Sequence, residues 1–373
     1  MPASISGFSI PDFLAGGLLQ FGWIALAIYL LVATQLTIFA VTLYLHRSQA
    51  HRGVDFHPVV SHVFRFWSWL TTSMITREWV AIHRKHHAKC ETEEDPHSPV
   101  VKGIGKVFWR GVELYREARD DRESIEKYGK GCPDDWIERH VYTPHATMGP
   151  TLLLFISFAL FGFAGIAVWA IQMLWIPFWA AGVVNGLGHW WGYRNFETDD
   201  TATNLTPWAL WIGGEELHNN HHAFPSSAKF ALRKWEVDIG WGVIRGLEHV
   251  GLAKVLRTAP RLNVRPNINV PDADTLKALL AIRFQAMTDY QRNVLKPDAR
   301  EQLQAFVAQR PRIGTLVEHR RRLAAVLESR TQDAADRLHA LQAWCHEAEA
   351  SGIRALQDFS ARLKGYSLQG SPA

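Results

Sequence analysis

Cysteine is scarce in this sequence, and its scarcity excludes two common kinds of metal site. The 373 residues include only three cysteines, and Cys90, Cys132 and Cys345 lie far apart in the chain. Such spacing gives neither a CxxC pair nor a disulfide framework, so a cysteine-ligated zinc or iron–sulfur site is not expected. We interpret all three as ordinary thiols.

Other familiar signatures are also missing. The chain has no HExxH motif of zinc hydrolases, no glycine-rich dinucleotide fingerprint and no haem-type His-Pro-Gly-Gly segment. The net charge of +4 is too small to indicate a nucleic-acid partner. No secretory signal is expected, because residues 1–12 contain no Lys or Arg and the apolar run that follows is about twice as long as a signal core.

Long charge-free stretches are what the sequence has instead. Hydrophobic residues make up 47% of the chain, yet the mean hydropathy is only −0.09, so the apolar residues are concentrated in blocks. Residues 13–45 and 146–193 each exceed the roughly 20 residues that cross a bilayer. The second block is expected to form a hairpin that turns at 161–165, and the first forms one long crossing or two short ones. Between them, residues 58–74 suit a helix that lies in the membrane interface.

We therefore expect an all-α integral membrane protein, in which transmembrane helical hairpins carry a cytoplasmic helical cap. The membrane domain would occupy residues 1–258. Prolines mark a stiff linker over residues 259–271. Apolar residues at helical spacing predict a soluble helical tail over residues 272–373, for which the sequence indicates no chemistry.

The histidines carry the main functional signal. Eight of the 18 histidines fall into three tight clusters: His46 and His51; His83, His86 and His87; and His218, His221 and His222. In an α-helix His83 and His87 lie about 40° apart on one face, and His86 lies about 60° to the other side of His83. The second cluster thus offers two imidazoles to one metal and a third to a point beside it. For the third cluster these angles leave the division open.

The histidines are too many for one ion, and imidazole suits iron, zinc or copper. A closed structural zinc site uses four ligands, so two metals that share the set are the simplest interpretation.

Acidic residues should hold the outer ring nitrogens of these histidines. The candidates near the clusters are Glu78, Glu91, Asp95, Glu215 and Glu216. A transporter would place its polar residues in mid-membrane, whereas these clusters lie at the ends of apolar segments, so iron that activates O₂ beside a lipid-accessible cavity fits best.

The patterns HxxxxH, HxxHH and HxxHH resemble the three histidine boxes of the membrane fatty acyl desaturases. The likeness is to the acyl-CoA Δ9 (stearoyl-CoA type) branch, in a bacterial-like form. The flanking residues agree as well: Glu91 to His97 after the second box, residues 185–189, Gly192-Tyr193-Arg194, Gly214-Glu215, and Ala223-Phe224-Pro225 after the third box. The resemblance covers roughly residues 15–258 and leaves out the tail.

The resemblance implies two irons held by histidines, with no catalytic residue beyond the metal ligands. One iron would be held by His46, His51, His83, His87 and His222. The other would be held by His86, His189, His218 and His221, with Asn185 reaching it through a water. Trp79, Trp190 and Trp191 are near enough in sequence to line a substrate tunnel, and packing or a membrane-interface belt is the alternative for them.

The implied reaction is an O₂-dependent desaturation that introduces a cis double bond, at Δ9, into a saturated C16–C18 acyl-CoA. The metals supply the oxidising power and the protein supplies orientation. Electrons would come from an external ferredoxin, rubredoxin or cytochrome b5-like carrier with an NAD(P)H reductase. The protein would lie among the lipids of a bacterial inner membrane, with its active site facing the cytoplasm.

One departure from the family keeps the acyl donor open. Animal acyl-CoA members carry an Arg-Asp pair just before the second box that helps to hold the CoA, whereas this chain has Ala81-Ile82. A phospholipid-bound acyl chain is therefore an alternative donor. Two other functions also stay open: a membrane hydroxylase with the same metal centre, and a non-catalytic membrane metal-binding protein such as a carrier or sensor.

Overall fold

The computed structural model describes residues 9–296, 310–329 and 331–369. Helices dominate the described residues, and the strands have only two or three residues each. The chain forms two compact units. They are Met1–Arg194 with Asp199–Thr258, and Asn195–Thr198 with Ala259–Ala373.

The first unit contains two helices that are long and apolar enough to cross a membrane, Trp23–Ala50 with 28 residues and Phe163–His189 with 27. Only the seven-residue helix Ile10–Gly16 precedes the first of them in the described chain, so the first charge-free block provides one long helix. Trp23–Phe39 continues with wider i→i+5 turns, a π-helix, over Ala40–Ala50. Pro177–Val184 continues the second long helix in the same way.

The second charge-free block forms a helical hairpin at the predicted place. Met148–Phe161 and Phe163–Ile176 meet at Gly162, whose φ of 63° lies in the left-handed region that favours glycine. Gly165 approaches Ser157 so closely that a Cβ on it would lie 1.9 Å from the Ser157 carbonyl oxygen. The two arms therefore need a glycine at this point in order to pack together.

The remaining elements of the first unit are shorter. Its other helices are Pro58–Thr72, Thr76–Lys89, Pro99–Lys102, Ile104–Trp109, Gly111–Asp120, Arg122–Tyr128, Glu138–Tyr142, Leu187–His189, His218–Ala223 and Ile239–His249. Val54–Phe56 pairs antiparallel with Ala253–Val255, and Trp208–Ala209 pairs parallel with Val237–Asp238. The strand Val54–Phe56 follows the first histidine box directly, so its pairing with Ala253–Val255 fixes where that box ends.

The core of the first unit surrounds the π-helix Ala40–Ala50. Leu43 and Leu45 are fully buried and belong to one apolar cluster with Val183 and Ile244. Because this segment runs through the core, it carries its histidine into the interior of the unit.

The second unit is a helical domain whose two ends are paired. Its helices are Ala273–Ala281, Arg283–Tyr290, Gln291–Leu295, Arg310–Glu328, Ala334–Ala350 and Arg354–Lys364. Leu262–Val264 pairs antiparallel with Tyr366–Leu368, so part of the proline-rich segment is a strand of this unit. The apolar positions that predicted helices in the tail, among them Leu316, Leu323 and Leu341, are buried in its core. In the sequence, Gly352 and Pro297 are residues expected to interrupt helices. Gly352 does separate Ala334–Ala350 from Arg354–Lys364, whereas Pro297 lies outside the described residues.

Candidate metal centre

The first histidine box depends on the π-helix that carries it. His46 and His51 are five residues apart, and in an α-helix they would point about 140° apart. In the wider turns of Ala40–Ala50 the N–H of His51 donates to the carbonyl of His46 over 3.1 Å, which is an i→i+5 bond. The two rings therefore lie on the same side, with centroids 5.0 Å apart.

The second box lies on the α-helix Thr76–Lys89. The rings of His83 and His87 have centroids 4.7 Å apart, whereas those of His83 and His86 are 6.3 Å apart. His83 and His87 therefore share a face, and His86 is directed to a separate point, as the helical angles predict.

The third box lies on the short helix His218–Ala223, in which every residue is buried. Side-chain bonds from its neighbours hold it in place. The amide of Asn220 donates to the Glu236 carboxylate over 2.8 Å and to the Phe230 carbonyl over 2.9 Å. The Glu216 carboxylate, just before the helix, accepts the backbone N–H groups of Trp211, Ile212 and Gly214.

Two arginines within the boxes join the elements to each other. Arg47 is buried, and its guanidinium donates to both oxygens of Asp238 over 3.0 Å. Arg84 donates to the carbonyls of Gln49 and Ala50 over 2.8 and 2.9 Å. The second box is thus tied directly to the end of the first.

Together the boxes and one further histidine form two groups of ring nitrogens. Within each group the nitrogens lie within 4.8 Å of one another. The five-histidine group consists of His46, His51, His83, His87 and His221. The four-histidine group consists of His86, His189, His218 and His222. Imidazole nitrogens at this spacing suit a pair of transition-metal ions, one in each group.

The chemistry of the ring nitrogens agrees with metal binding. Nε2–Nε2 separations are 2.8 Å for His51 and His83, 2.9 Å for His87 and His221, and 3.0 Å for His189 and His218. A neutral ring that donates its Nδ1 hydrogen has only a lone pair on Nε2. His222 is such a ring: its Nδ1 bonds Asp200, and its buried Nε2 has no partner among the described residues. Such a ring presents a lone pair to the interior of its group, where a metal cation can bind it.

The division of the third box differs from the one that the family resemblance implied. His221 was expected with His86, but it lies in the five-histidine group. His222 was expected with His46, but it lies in the four-histidine group. The reason is helical geometry. His218 and His222 are four residues apart, about 40° on the helix, and so share a face, whereas His221 points about 60° to the other side. The rings of His218 and His222 are 4.5 Å apart, and those of His218 and His221 are 5.9 Å apart.

Carboxylates hold the outer nitrogens of several rings. Glu215 and Asp95 act as predicted: the Nδ1 of His46 is 2.8 Å from Glu215, and the Nδ1 of His86 is 3.0 Å from Asp95. Burial would raise the pKa of Asp95, but the adjacent His86 ring lowers it far below its usual range. The Glu91 carboxylate, another candidate, lies 3.5 Å from the Nδ1 of His189.

Choosing the carboxylate partners of the histidines by their proximity in the sequence also produced errors. Asp200 binds the Nδ1 of His222 over 2.7 Å and was missed, because it lies far from the third box in the chain. Glu216 was a candidate but holds backbone N–H groups instead. Glu78 has no histidine partner among the described residues, and its acidic pKa is raised by burial, against the effect of nearby Arg119.

Burial favours the neutral form of several of these imidazoles. It lowers the pKa of His83, His87 and His218 well below 6.5, and the neighbouring rings lower it further. Burial also lowers the pKa of His222, to about 4, although Asp200 opposes the shift. Because a metal binds unprotonated imidazole, these rings are available as ligands at neutral pH.

An apolar cavity of about 370 Å³ ends at the metal centre. His46, His83 and His218 line it, together with Asn185. Asn185 lines the same cavity wall as His218, and its water-bridged role stays a prediction. A cavity of this size falls in the range of small-molecule sites.

The three tryptophans that were expected in a tunnel separate into two classes. Trp79 lines the cavity and stacks on the His83 ring at 4.9 Å. Trp190 and Trp191 are not among the cavity-lining residues and are 57% and 66% exposed. They follow His189 directly in the chain, but the turn that ends the helix at His189 directs them to the surface.

The comparisons with known proteins agree with this centre. The model of the family described as "Fatty acid desaturase" matches residues 21–240. The chain belongs to the fatty acid desaturase family. It is therefore an oxidoreductase of the desaturase kind, and the two histidine groups lie within the matched region.

Relatives with curated names extend this finding. The chain is 32% identical to "Delta-9 acyl-lipid desaturase 1" of Arabidopsis thaliana over 240 residues, which are 63% of this chain and 75% of the relative. It is 34% identical to "Icosanoyl-CoA 5-desaturase" of Limnanthes douglasii over 241 residues, 62% and 65% of the two chains. It is 29% identical to "sn-1 stearoyl-lipid 9-desaturase" of Anabaena variabilis over 252 residues, 65% and 87%. The relatives thus differ in acyl donor and in double-bond position.

Proposed function

We propose that this desaturase introduces a cis double bond at Δ9 into a saturated C16–C18 acyl chain, with O₂ as co-substrate. The observation that carries the proposal is the meeting of the apolar cavity with both histidine groups, through His46 and His83 from one group and His218 from the other. An acyl chain in this cavity would lie directly against the metal ligands.

We assign a di-iron centre to the two histidine groups. A pair of irons would supply the power to oxidise an unactivated methylene when reduced in the presence of O₂. The residues of the chain have three other tasks. The histidines fix the metal positions, the carboxylates behind them fix the ring orientations, and the apolar wall aligns two adjacent methylenes and excludes water.

The electrons come from outside the chain in this proposal. The sequence has no dinucleotide fingerprint, and its cysteines lie too far apart for an iron–sulfur cluster. A ferredoxin, rubredoxin or cytochrome b5-like protein with an NAD(P)H reductase is the kind of partner that fits this requirement.

A membrane location is supported by the surface of the long helices. Trp23 and Ile24 are each 80% exposed, and Leu174 is 67% exposed. The helix Pro58–Thr72 also exposes large apolar side chains, at Val59 for example. Large apolar surfaces of this kind suit lipid contact. We propose an integral protein of a bacterial inner membrane with its metal centre on the cytoplasmic side.

The acyl donor is either CoA or a membrane lipid. Ala81 and Ile82, at the positions of the family's Arg-Asp pair, are buried among apolar residues and offer CoA no charge. Named relatives of both donor classes match the chain at similar identity. We therefore keep acyl-CoA as the first proposal and acyl-lipid as the alternative.

Expression in a desaturase-deficient host, followed by fatty-acid profiling with double-bond localisation, tests the proposal. We expect monounsaturated C16 and C18 chains with the bond at Δ9. An alcohol in place of the alkene would indicate a hydroxylase with the same centre. Reversible metal release without O₂ consumption would indicate a binding protein. Separate assays with acyl-CoA and with phospholipid vesicles then identify the donor.

A further inference from the structure

A buried amide side chain lies on the wall of the apolar cavity. Gln172 lies on the helix Phe163–Ile176, lines the cavity and is only 3% exposed. Its side-chain Oε1 is buried and has no hydrogen-bond partner among the described residues. Buried polar atoms are nearly always hydrogen-bonded in native proteins, so this oxygen needs an explanation.

The two threonine hydroxyls that the helix Pro58–Thr72 contributes to the cavity wall do not supply a hydrogen to it. Thr71 and Thr72 line the cavity too, but the hydroxyl of Thr71 donates to the Trp67 carbonyl over 2.7 Å and that of Thr72 to the Ser68 carbonyl over 2.5 Å. Both hydrogens are therefore used inside their own helix.

This amide lies at the end of the cavity that is remote from the metals. Gln172 and His189, a member of the four-histidine group, lie 17 residues apart on the long helix Phe163–His189. At close to 1.5 Å per residue the helix separates them by roughly 20 Å along its axis, so Gln172 is far from the metal centre. Met173, the neighbour of Gln172, packs in one cluster with Leu70, the neighbour of Thr71, so the two helices meet at this remote end.

We propose that Gln172 sets the length of the acyl chain that this desaturase accepts. The inference rests on the proposed function, in which the cavity holds the acyl chain. A methyl end that advances against the amide would displace any water that solvates its oxygen and leave that buried oxygen without a hydrogen bond. This loss opposes the gain from burying further methylenes. A chain that stops short of Gln172 avoids this loss. Gln172 is thus a specificity-determining residue that does not contact the reacting atoms.

The test is Gln172→Leu in a desaturase-deficient host that is fed saturated fatty acids of graded length. Leucine removes the amide and keeps the site apolar. We expect the ratio of longer to shorter unsaturated products to rise by about tenfold, the scale on which an apolar pocket discriminates small changes in chain length. An unchanged ratio would overturn the inference.

Gln35→Leu is the matched control. Gln35 also lies on a long apolar helix and has an unpartnered amide nitrogen, but it is not among the cavity-lining residues. We expect the wild-type product profile from it. An equal shift in both variants would contradict the assignment to Gln172.

Two outcomes separate this inference from the proposed function. A wild-type protein that forms no unsaturated product refutes the function itself, whereas an active wild type with unchanged preference in Gln172→Leu refutes only the role of Gln172. Gln172→Met, which keeps the side-chain length without the amide, must shift the ratio in the same direction. Loss of all activity in both folded variants would also contradict a role limited to chain length.

Discussion

The two histidine groups differ in what lies behind their rings. In the four-histidine group three rings have a carboxylate near Nδ1: Asp95 for His86, Glu91 for His189 and Asp200 for His222. In the five-histidine group the described residues provide one such pair, His46 with Glu215. Aromatic rings take the place of acids there, with Trp79 on His83 and Phe230 beside His221.

This difference concerns how the protein would compensate the charge of two cations. A carboxylate behind a histidine fixes the ring and increases its basicity as a ligand, so we expect the four-histidine group to hold its metal more tightly. The five-histidine group has more apolar neighbours and contributes two rings to the cavity wall. Charge compensation is thus concentrated in one group, and exposure to the cavity in the other.

The largest expected effect follows from removing one ligand of either group. His83→Ala and His86→Ala should each abolish unsaturation, because both metals are needed for the reaction. Fatty-acid profiling of the expressing host measures this, with immunodetection of the inserted protein. His249→Ala, at an exposed histidine outside both groups, should leave the profile unchanged. Activity retained in either ligand variant would show that one group is dispensable.

A second prediction sharpens the division of the third box. We expect about two irons per wild-type chain and about one in His221→Ala, since ligands of one group act as a unit. Combining His221→Ala with His83→Ala, in the same group, should leave about one iron, whereas combining it with His86→Ala should leave about none. Iron analysis of the purified variants measures this. The opposite pattern would return His221 to the other group.

The sequence predicted those parts of the centre that depend on local geometry alone. On an α-helix the i, i+4 pair of a box shares a face, and this rule predicted the division of His83-His86-His87. For the third box the two angles were too similar to decide, although the structure follows the same rule there. The error at His221 and His222 came from carrying over the family assignment where the angles had left the division open. The first box could not be derived in this way, because its π-helix depends on packing in the core.

The acids and the tunnel residues show the same limit. Asp95 and Glu215 were found because they are close in the chain to a box, whereas Asp200 carries no sequence signal that connects it to His222. Trp79 and Trp190 were both chosen for proximity, yet only the first lies on an element that faces the cavity. Contacts between segments that are distant in the chain could therefore not be predicted from the sequence. The same holds for the pairing of Leu262–Val264 with Tyr366–Leu368 in the second unit.

A third prediction tests the carboxylates behind the rings. Asp200→Asn should weaken metal binding in the four-histidine group by roughly 10–100-fold, and Glu215→Gln should do the same in the other group. Competition with a chelator measures both losses. Glu94→Gln, at a surface acid that pairs with Lys89, is the control and should change neither. If both variants lost the same ion first, the two groups would not be separately compensated.

The smallest expected effect concerns the metal-free protein in acid. The pKa of His222 is about 4 in the folded chain, below its ordinary 6.5. Between these two pH values the unfolded chain therefore binds a proton at His222 that the folded chain does not bind. Stability should therefore fall as the pH drops from about 6.5 towards 4. Asp200→Asn removes the group that opposes this shift. Because the folded pKa already lies near 4, the variant should lose only about 0.4 kcal/mol more than the wild type, and only on reaching pH 4. Thermal unfolding in detergent at pH 7 and pH 4 measures both losses, and a smaller loss in the variant than in the wild type would contradict the role given to Asp200.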